Sequence, residues 1–297
     1  MRVFVTGATG FVGTAVVKEL IGAGHQVLGL ARSDAGAAAL AAAGADVQRG
    51  SLEELDSLRR GVLAVDGVIH TAFNHDFTKF AENSATERRA LDAIGAALEG
   101  SERPLIVTSG VALLAPGRLA YEEDVRAPNP AFPRDPEVAA TELAARGLRT
   151  CAVRLAPSVH GEGDHGFIPR LIAIAREKGV SAYVGDGLNR WPGVHRFDAA
   201  AVYRLALEKG TTGARYHAVG EQGVPFKEIA TVIGHRLNLP VVSKRPEEVH
   251  EHFGWFGIFT TMDVPASSQW TRDALGWRPT GPGLLDDIDQ PGYYVGS

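Results

Sequence analysis

The segment VTGATGFVG, residues 5–13, has glycines at positions i, i+3 and i+6. It follows a β-branched and aromatic run, residues 2–5, that predicts a strand, and Val12, Val16 and Leu20 then recur at the spacing of one helix face. Glycine at these sites lets the backbone turn tightly and approach a pyrophosphate closely, and the amides at the helix start then face that anion. The segment therefore predicts a dinucleotide-binding turn rather than a plain strand-to-helix connection. The turn residues expected to bind the cofactor are Gly7, Thr9, Gly10, Phe11, Val12 and Gly13.

Beyond this turn, short apolar runs alternate with helical patterns. The predicted strands are residues 26–30, 45–48, 67–70, 105–108 and 150–155. The predicted helices are residues 35–43, 78–99, 136–146, 166–178, 198–209 and 225–238, with Pro225 in the first turn of the last one. Strands that alternate with helices imply right-handed crossovers, so we expect an α/β fold with a Rossmann-type doubly wound parallel sheet.

The regular alternation ends after Pro157, where Gly and Pro turns become frequent. We therefore expect a smaller C-terminal substrate domain made of residues 156–195 and 221–297. The dinucleotide-binding domain is then expected to contain residues 1–155 and part of 195–220.

The composition excludes several classes of protein. The chain has 297 residues, with 30 Lys and Arg against 35 Asp and Glu, so its net charge of -5 argues against binding to nucleic acid or to an anionic membrane. One cysteine, Cys151, excludes an intrachain disulfide and a multi-cysteine zinc site. The amino terminus does not resemble a signal segment, and no apolar run reaches the roughly 18 residues of a membrane span. We expect a cytoplasmic location.

The end of the second predicted strand bears on the choice of nucleotide. NAD sites place Asp or Glu there, on the ribose 2′-hydroxyl, whereas this chain has Arg32 and Ser33. A guanidinium suits the 2′-phosphate of NADP, so NADP (NADPH) is the predicted cofactor, and Asp34 competes only if the turn is longer. The alternative is an Arg32 side chain that lies in solvent.

Five segments carry a family resemblance: TGATGFVG at 6–13, IHTAF at 69–73, TSG at 108–110, VRLAPSVHG at 153–161, and GDG followed by VHRFDAA within 185–200. Together they resemble the extended and atypical short-chain dehydrogenase/reductases, the NAD-dependent epimerase/dehydratase-like proteins. The resemblance implies that Ser109 lies beside the reactive carbonyl and that Ser51 takes the place of an Asp against the adenine. It implies a cofactor contact for Leu52, Thr71, Ala72, Phe73, Thr108, Pro157, Ser158 and Val159.

The chain departs from that family at its catalytic pair. The family uses a Tyr and, four residues later, a Lys; those positions fall on Pro133 and Glu137. No tyrosine of the chain is followed by lysine at this spacing. The remaining candidates for catalysis are Ser109 as a hydrogen-bond donor and Tyr121 or His160 as a proton source, with a packing role as the alternative for the last two.

Other chemistries find less support in the sequence. His160, Glu162, Asp164 and His165 lie close together, but a polar loop explains them more simply than a metal site, so no metal is predicted. The nucleophile motif G-x-S-x-G of hydrolases is absent. Residues that shape the substrate pocket, or else the core of the small domain, are Trp191, His195, Arg196, Trp255, Phe256 and Phe259.

The combined pattern predicts an NADPH-dependent oxidoreductase that reduces a small-molecule carbonyl substrate. A redox-inert NADP-binding sensor is the alternative, and a nucleotide-sugar epimerase or dehydratase is a third. No nucleic acid or membrane partner is expected. We expect a homodimer through the helices at 78–99 and 136–146, because the second has a face of small residues. That face consists of Ala139, Ala140, Leu143 and Ala144.

Overall fold

The computed structural model describes residues 1–129 and 132–295. Its strands are β1 (Arg2–Thr6), β2 (Gln26–Ala31), β3 (Asp46–Arg49), β4 (Gly67–His70), β5 (Leu105–Gly110), β6 (Thr150–Leu155), β7 (Ser158–His160), β8 (Ser181–Val184), β9 (Arg190–His195), β10 (Arg215–Ala218), β11 (Glu221–Pro225) and β12 (Val241–Lys244). Its α-helices are α1 (Phe11–Gly22), α2 (Asp34–Ala42), α3 (Leu55–Leu63), α4 (Phe80–Leu98), α5 (Pro136–Ala145), α6 (Phe167–Lys178), α7 (Arg196–Lys209), α8 (Phe226–Leu237), α9 (Val249–Phe253), α10 (Gly257–Thr260), α11 (Gln269–Leu275) and α12 (Leu284–Ile288).

Within the described residues, seven strands form a parallel sheet in the order β10-β6-β5-β4-β1-β2-β3. This is the Rossmann-type doubly wound sheet, and the prediction of the fold class is confirmed. The chain runs outward from β1 in both directions, so the carboxyl ends of β1 and β4 border a crevice of the kind that binds ligands in such sheets.

The predicted strands and helices begin and end within two residues of the observed ones. Helix α3, strands β7–β12 and helices α9–α12 are not predicted. In α3, Leu55, Leu58 and Val62 have the spacing of one helix face, and the last two are buried. Pro225 ends β11 and caps α8 instead of lying in its first turn.

Alternation along each strand divides the core of the sheet into two layers. Val3 and Val5 lie in the layer that contains residues of α1 and α7, whereas Phe4 lies in the layer of α3, α4 and α5. The small side chains of α5 pack against the sheet in this second layer. Ala139, Ala140 and Leu143 are buried within the chain, and Ala144 is half-buried, so the interpretation of this face as a dimer contact is wrong.

The remaining strands form two small sheets, β11-β9-β7 and β12-β8, beside the large one. They pack with α6 and α8 around buried side chains such as Trp191, Phe226 and Phe256. The division into two domains at residue 155 stays a prediction. In the described part of the chain, no helix has the length and apolar character needed to cross a membrane.

Candidate active site

The glycine turn lies between β1 and α1 at the crevice. Gly7 has a φ of 68°, and its carbonyl accepts a hydrogen bond from the Gly10 amide at 2.9 Å. A Cβ atom at Gly13 would lie 1.9 Å from the Gly7 oxygen, so only glycine fits. No side chain caps α1 at Gly10. The free amides at this helix start fit the pyrophosphate of a dinucleotide.

The segment that follows β4 lies directly against this turn. A Cβ atom at Gly7 would lie 2.7 Å from both the Ala72 amide nitrogen and Thr71 Oγ1. The Thr71 hydroxyl donates to the Thr6 carbonyl at 2.8 Å, which holds the two strand ends together. The structure thus brings the residues expected on the pyrophosphate side into one place.

The ends of β2 and β3 present two arginines near the start of α2. Ser33 caps this helix, because its Oγ accepts a hydrogen bond from the Gly36 amide at 3.1 Å. Arg32 is exposed and forms no hydrogen bond or ion pair with any residue in the described ranges. Arg49 donates to the Ser33 carbonyl and pairs with Asp34 at 2.7 Å. Sequence reasoning missed Arg49, although its place at the end of a strand was a usable signal.

Several other expected cofactor residues have structural partners. Ser51 Oγ accepts from the Glu54 amide at 3.3 Å, and Leu52 packs against the core. The Thr108 hydroxyl donates to the His70 carbonyl at 2.7 Å. Pro157 and Val159 are half-buried, whereas Ser158 is buried and its Oγ has no partner among the described residues.

Ser109, at the end of β5, lies near a carboxylate at the position that corresponds to the family's lysine. This carboxylate, Glu137, accepts two hydrogen bonds from Arg154, at 2.8 and 2.7 Å. Burial opposes ionisation of Glu137, but the bonds from Arg154 outweigh it and hold the pKa of this carboxyl below its usual value.

A second arginine lies at the same strand end. The Arg134 guanidinium donates two hydrogen bonds to Glu87, at 2.9 and 2.6 Å, and a third to the Thr108 carbonyl at 3.2 Å. It lies 4.3 Å from the centre of the Phe73 ring. The Arg134 side chain is 22% exposed and that of Glu87 only 3%, so the carboxylate anchors a cation that remains accessible from the crevice.

A buried imidazole stands behind this pair. His70 Nδ1 lies 2.9 Å from Thr6 Oγ1, and its Nε2 lies 3.9 Å from Glu87 Oε1. Burial, with a contribution from Arg134, lowers the pKa of His70 to about 3. The ring is therefore neutral at physiological pH. Burial raises the pKa of Glu87, and the Arg134 guanidinium opposes that rise.

The chain is similar to known proteins in sequence and in fold. The model of the NAD dependent epimerase/dehydratase family matches residues 3–126. A Schizosaccharomyces pombe protein, named only as uncharacterized protein C2A9.02, is 50% identical over 99% of this chain and 100% of its own length. The chain belongs to the NAD dependent epimerase/dehydratase family.

More distant relatives have described activities. The 2-alkyl-3-oxoalkanoate reductase of Stenotrophomonas maltophilia is 28% identical over 82% of this chain and 78% of its own length. A dTDP-glucose 4,6-dehydratase from Streptomyces venezuelae, solved with NAD and TYD bound, has a TM-score of 0.78 at 20% identity, covering 99% of this chain and 97% of that chain. Family members are NAD(P)-dependent oxidoreductases and epimerases.

The structure places the two candidate proton sources in different surroundings. The His160 side chain is fully buried, its Nδ1 lies 2.8 Å from Asp287 Oδ2, and its Nε2 has no hydrogen-bond partner among the described residues. Tyr121 is 44% exposed, and its hydroxyl has no hydrogen-bond partner in the part of the chain that the structure describes. Sequence reasoning missed Arg134, whose only signal was a basic residue beside the expected tyrosine position, Pro133.

The remaining sequence candidates separate by burial. Trp191 and Phe256 are core residues, whereas Trp255 is 53% exposed. Arg196 lies against the cofactor turn: it donates to the Phe11 carbonyl at 2.8 Å and stacks 4.4 Å from the Phe11 ring centre. Across residues 1–129 and 132–295, no group of three His, Cys, Asp or Glu side chains is arranged to hold a metal ion.

Proposed function

We propose that this protein reduces a carbonyl group on a small apolar molecule with NADPH. The observation that carries the proposal is the Arg134 guanidinium, anchored by Glu87 at the end of β5 and still partly exposed. The family places its hydrogen-bonding tyrosine in this segment of chain. A fixed cationic donor stabilises the negative charge that develops on a carbonyl oxygen, without reorganising during the reaction.

The preference for NADPH rests on the charges near the start of α2. Arg32 is a guanidinium without a protein partner among the described residues, and Arg49 lies one strand away beside Ser33. The two cations and the capped helix start favour a 2′-phosphate. NAD(P) binding belongs to the family, and the choice of NADP is the proposal.

The chemistry divides between cofactor and chain. NADPH, held by the glycine turn and Arg32, would supply a hydride to the carbonyl carbon, and the oxygen would keep the C=O electron pair and take a proton from water. Arg134 donates a hydrogen bond to that oxygen but keeps its proton, because a guanidinium does not deprotonate in proteins. Ser109, at the end of β5, is the second hydrogen-bond donor proposed for that oxygen.

Two alternatives find weaker support. A nucleotide sugar needs cations for its diphosphate, yet Arg190, the basic residue of segment 183–193, is held by Asp263 at 2.9 and 2.8 Å. A redox-inert NADP sensor is favoured by the missing tyrosine and lysine. The relative named as an oxoalkanoate reductase favours carbonyl reduction instead. We place the reaction in the cytoplasm, as the sequence predicts.

The test is NADPH oxidation by the purified protein with a panel of ketones and aldehydes. We expect turnover by the wild type and a loss on the order of 100-fold in kcat for Arg134→Met, made together with Glu87→Gln to avoid an unpaired buried charge. NADPH affinity should stay unchanged. The matched control is Arg88→Met, which removes an exposed arginine of α4. NADPH binding without turnover of any carbonyl would favour the sensor.

A further inference from the structure

Five aromatic side chains form a continuous surface, here called the aromatic wall: Phe73, His75, Phe77, Phe80 and Trp255. Ring centres are 5.1 Å apart between Phe73 and His75, and 5.8 Å apart between Phe73 and Phe80. Phe77 stacks on Phe80 at 5.9 Å and contacts Trp255 at 5.5 Å. These distances lie within the range at which aromatic rings attract one another.

The wall connects the candidate reaction site with the outer edge of the crevice. Its inner end is Phe73, three residues beyond β4, with the Arg134 guanidinium 4.3 Å above the ring. Its outer end is the contact between Phe77, which precedes α4, and Trp255, which precedes α10. The wall therefore joins the large sheet's loops to the small sheets' helices, and a molecule lying along it has one end at Arg134.

The outer rings of the wall are exposed, whereas two other tryptophans of the chain are buried. Phe77 is 43% and Trp255 53% exposed, whereas Trp191 and Trp277 are each 1% exposed. Ring surface left in water inside a crevice is the common signature of a ligand site, because a ligand that covers it releases the hydrating water.

The charge along the wall is low. Partial burial and the nearby Arg134 lower the pKa of His75, which leaves this imidazole neutral at physiological pH. The other four members carry no ionisable group. The five rings themselves offer stacking to a flat ring and carry no charge that would bind a diphosphate.

We propose that the aromatic wall is the substrate site and that its ligand is an aromatic carbonyl compound. The orientation of the carbonyl toward Arg134 rests on the proposed reductase function, whereas recognition of the ring does not. Phe77 and Trp255 stack against the aromatic ring of the ligand at the outer end. Arg134 donates a hydrogen bond to its carbonyl oxygen at the inner end.

The probe is 2-acetonaphthone, compared with its ring-saturated decalin analogue. Binding to the full chain is measured by calorimetry with NADP⁺ present, so that no turnover intervenes. We expect the aromatic ketone to bind more tightly, and Trp255→Leu and Phe77→Leu each to weaken its binding by about 10-fold while leaving the analogue's affinity unchanged. The control is Trp270→Leu, which removes another exposed tryptophan, one that stacks on Tyr216.

Each outcome separates this inference from the proposed function. Binding that depends on the aromatic ring, without NADPH oxidation in the turnover assay, would support the aromatic-ligand site and contradict the proposed reductase function. Equal affinity for the two ketones, no effect of the wall variants, or tighter binding of UDP-glucose overturns the aromatic-ligand site. Self-association that Trp255→Leu abolishes, without ketone binding, also overturns it and makes the wall an interface between copies.

Discussion

The carboxylates behind the crevice act as anchors for arginine. Glu87 holds Arg134 at the end of β5, and Glu137 holds Arg154, whose side chain is fully buried. Pairing is what makes these buried charges tolerable, since an isolated ion in the interior costs several kcal/mol. The residues that replace the family's Tyr and Lys region thus form ion pairs instead of an acid–base pair.

Arg32 is predicted to determine the choice between the two cofactors. Arg32→Ala should weaken NADPH binding by about 1.5–3 kcal/mol, because a charged contact to the 2′-phosphate is lost, and should leave NADH binding almost unchanged. Fluorescence titration with both cofactors measures this. Arg49→Ala should weaken NADPH in the same direction. Equal weakening of both cofactors by Arg32→Ala would contradict the NADP assignment.

His70 is predicted to make the protein less stable in acid. Its pKa is about 3 in the folded state, against 6.5 when the ring is in water. Between these values the unfolded chain binds a proton that the native state does not, so the free energy of unfolding falls as the pH falls, by at most about 1.4 kcal/mol per pH unit.

The measurement is urea unfolding of the wild type and of His70→Gln from pH 4 to pH 7. The variant should show a shallower dependence on pH. His250→Gln, which changes an exposed histidine, serves as the control and should keep the wild-type slope. If the free energy of unfolding depends on pH with the same slope in the wild type and in His70→Gln, then the His70 ring can be protonated in the folded state.

Helix α5 is joined to the sheet by its first turn. Glu137 accepts hydrogen bonds from Arg154 of β6, and Arg215 of β10 lies 3.2 Å from the same carboxylate. The charge also lies at the helix start, where an acidic side chain is favourable. One carboxylate therefore connects a helix to two strands of the sheet.

Loss of that connection is predicted to be costly. Glu137→Gln should lower the free energy of unfolding by on the order of 3 kcal/mol, because the Arg154 charge is left uncompensated in the interior. Glu142→Gln, in the same helix, breaks only the exposed pair with Arg88 and should cost less than about 1 kcal/mol. Denaturant unfolding of both variants measures the two free energies of unfolding. Similar decreases would mean that the buried pair stabilises the protein no more than the surface pair.

Over the whole molecule, the contacts that border the crevice include two between segments far apart in the chain. Arg196 bonds to the Phe11 carbonyl at the cofactor turn, and Phe77 meets Trp255 at the outer edge of the crevice. Both contacts border the crevice that would hold cofactor and substrate.

The homodimer predicted from the sequence needs a surface other than the small-residue face of α5, which is buried. Val138 of α5 is 45% exposed and belongs to the outer surface of the same helix. We expect light scattering to give twice the chain mass of 31.5 kDa, and Val138→Glu to give the monomer mass. Leu188→Glu, which alters a residue that is 63% exposed elsewhere, should remain a dimer. A monomeric wild type at micromolar concentration would contradict the prediction.

Much of the cofactor site was predictable because it depends on local order along the chain. The glycine turn works through backbone geometry within residues 5–13, and Arg32 is identified by its place after a strand. Arg134 was not predictable in this way, since its orientation depends on Glu87, 47 residues earlier in the chain. The partner of His160 was not predictable for the same reason, because Asp287 is 127 residues away.

The order of residues alone was enough for the family, the parallel sheet, the dinucleotide turn and the absence of the Tyr–Lys pair. Each of these depends on hydrophobic period, on glycine at fixed spacing or on residue identity at a motif position. Only the tertiary structure determined which charged and aromatic side chains pair with one another: Glu137 with Arg154, Arg134 with Glu87, and Phe77 with Trp255. Such pairs join residues far apart in the chain, and whether a charge is buried, paired or open to a ligand depends on the packing that surrounds it.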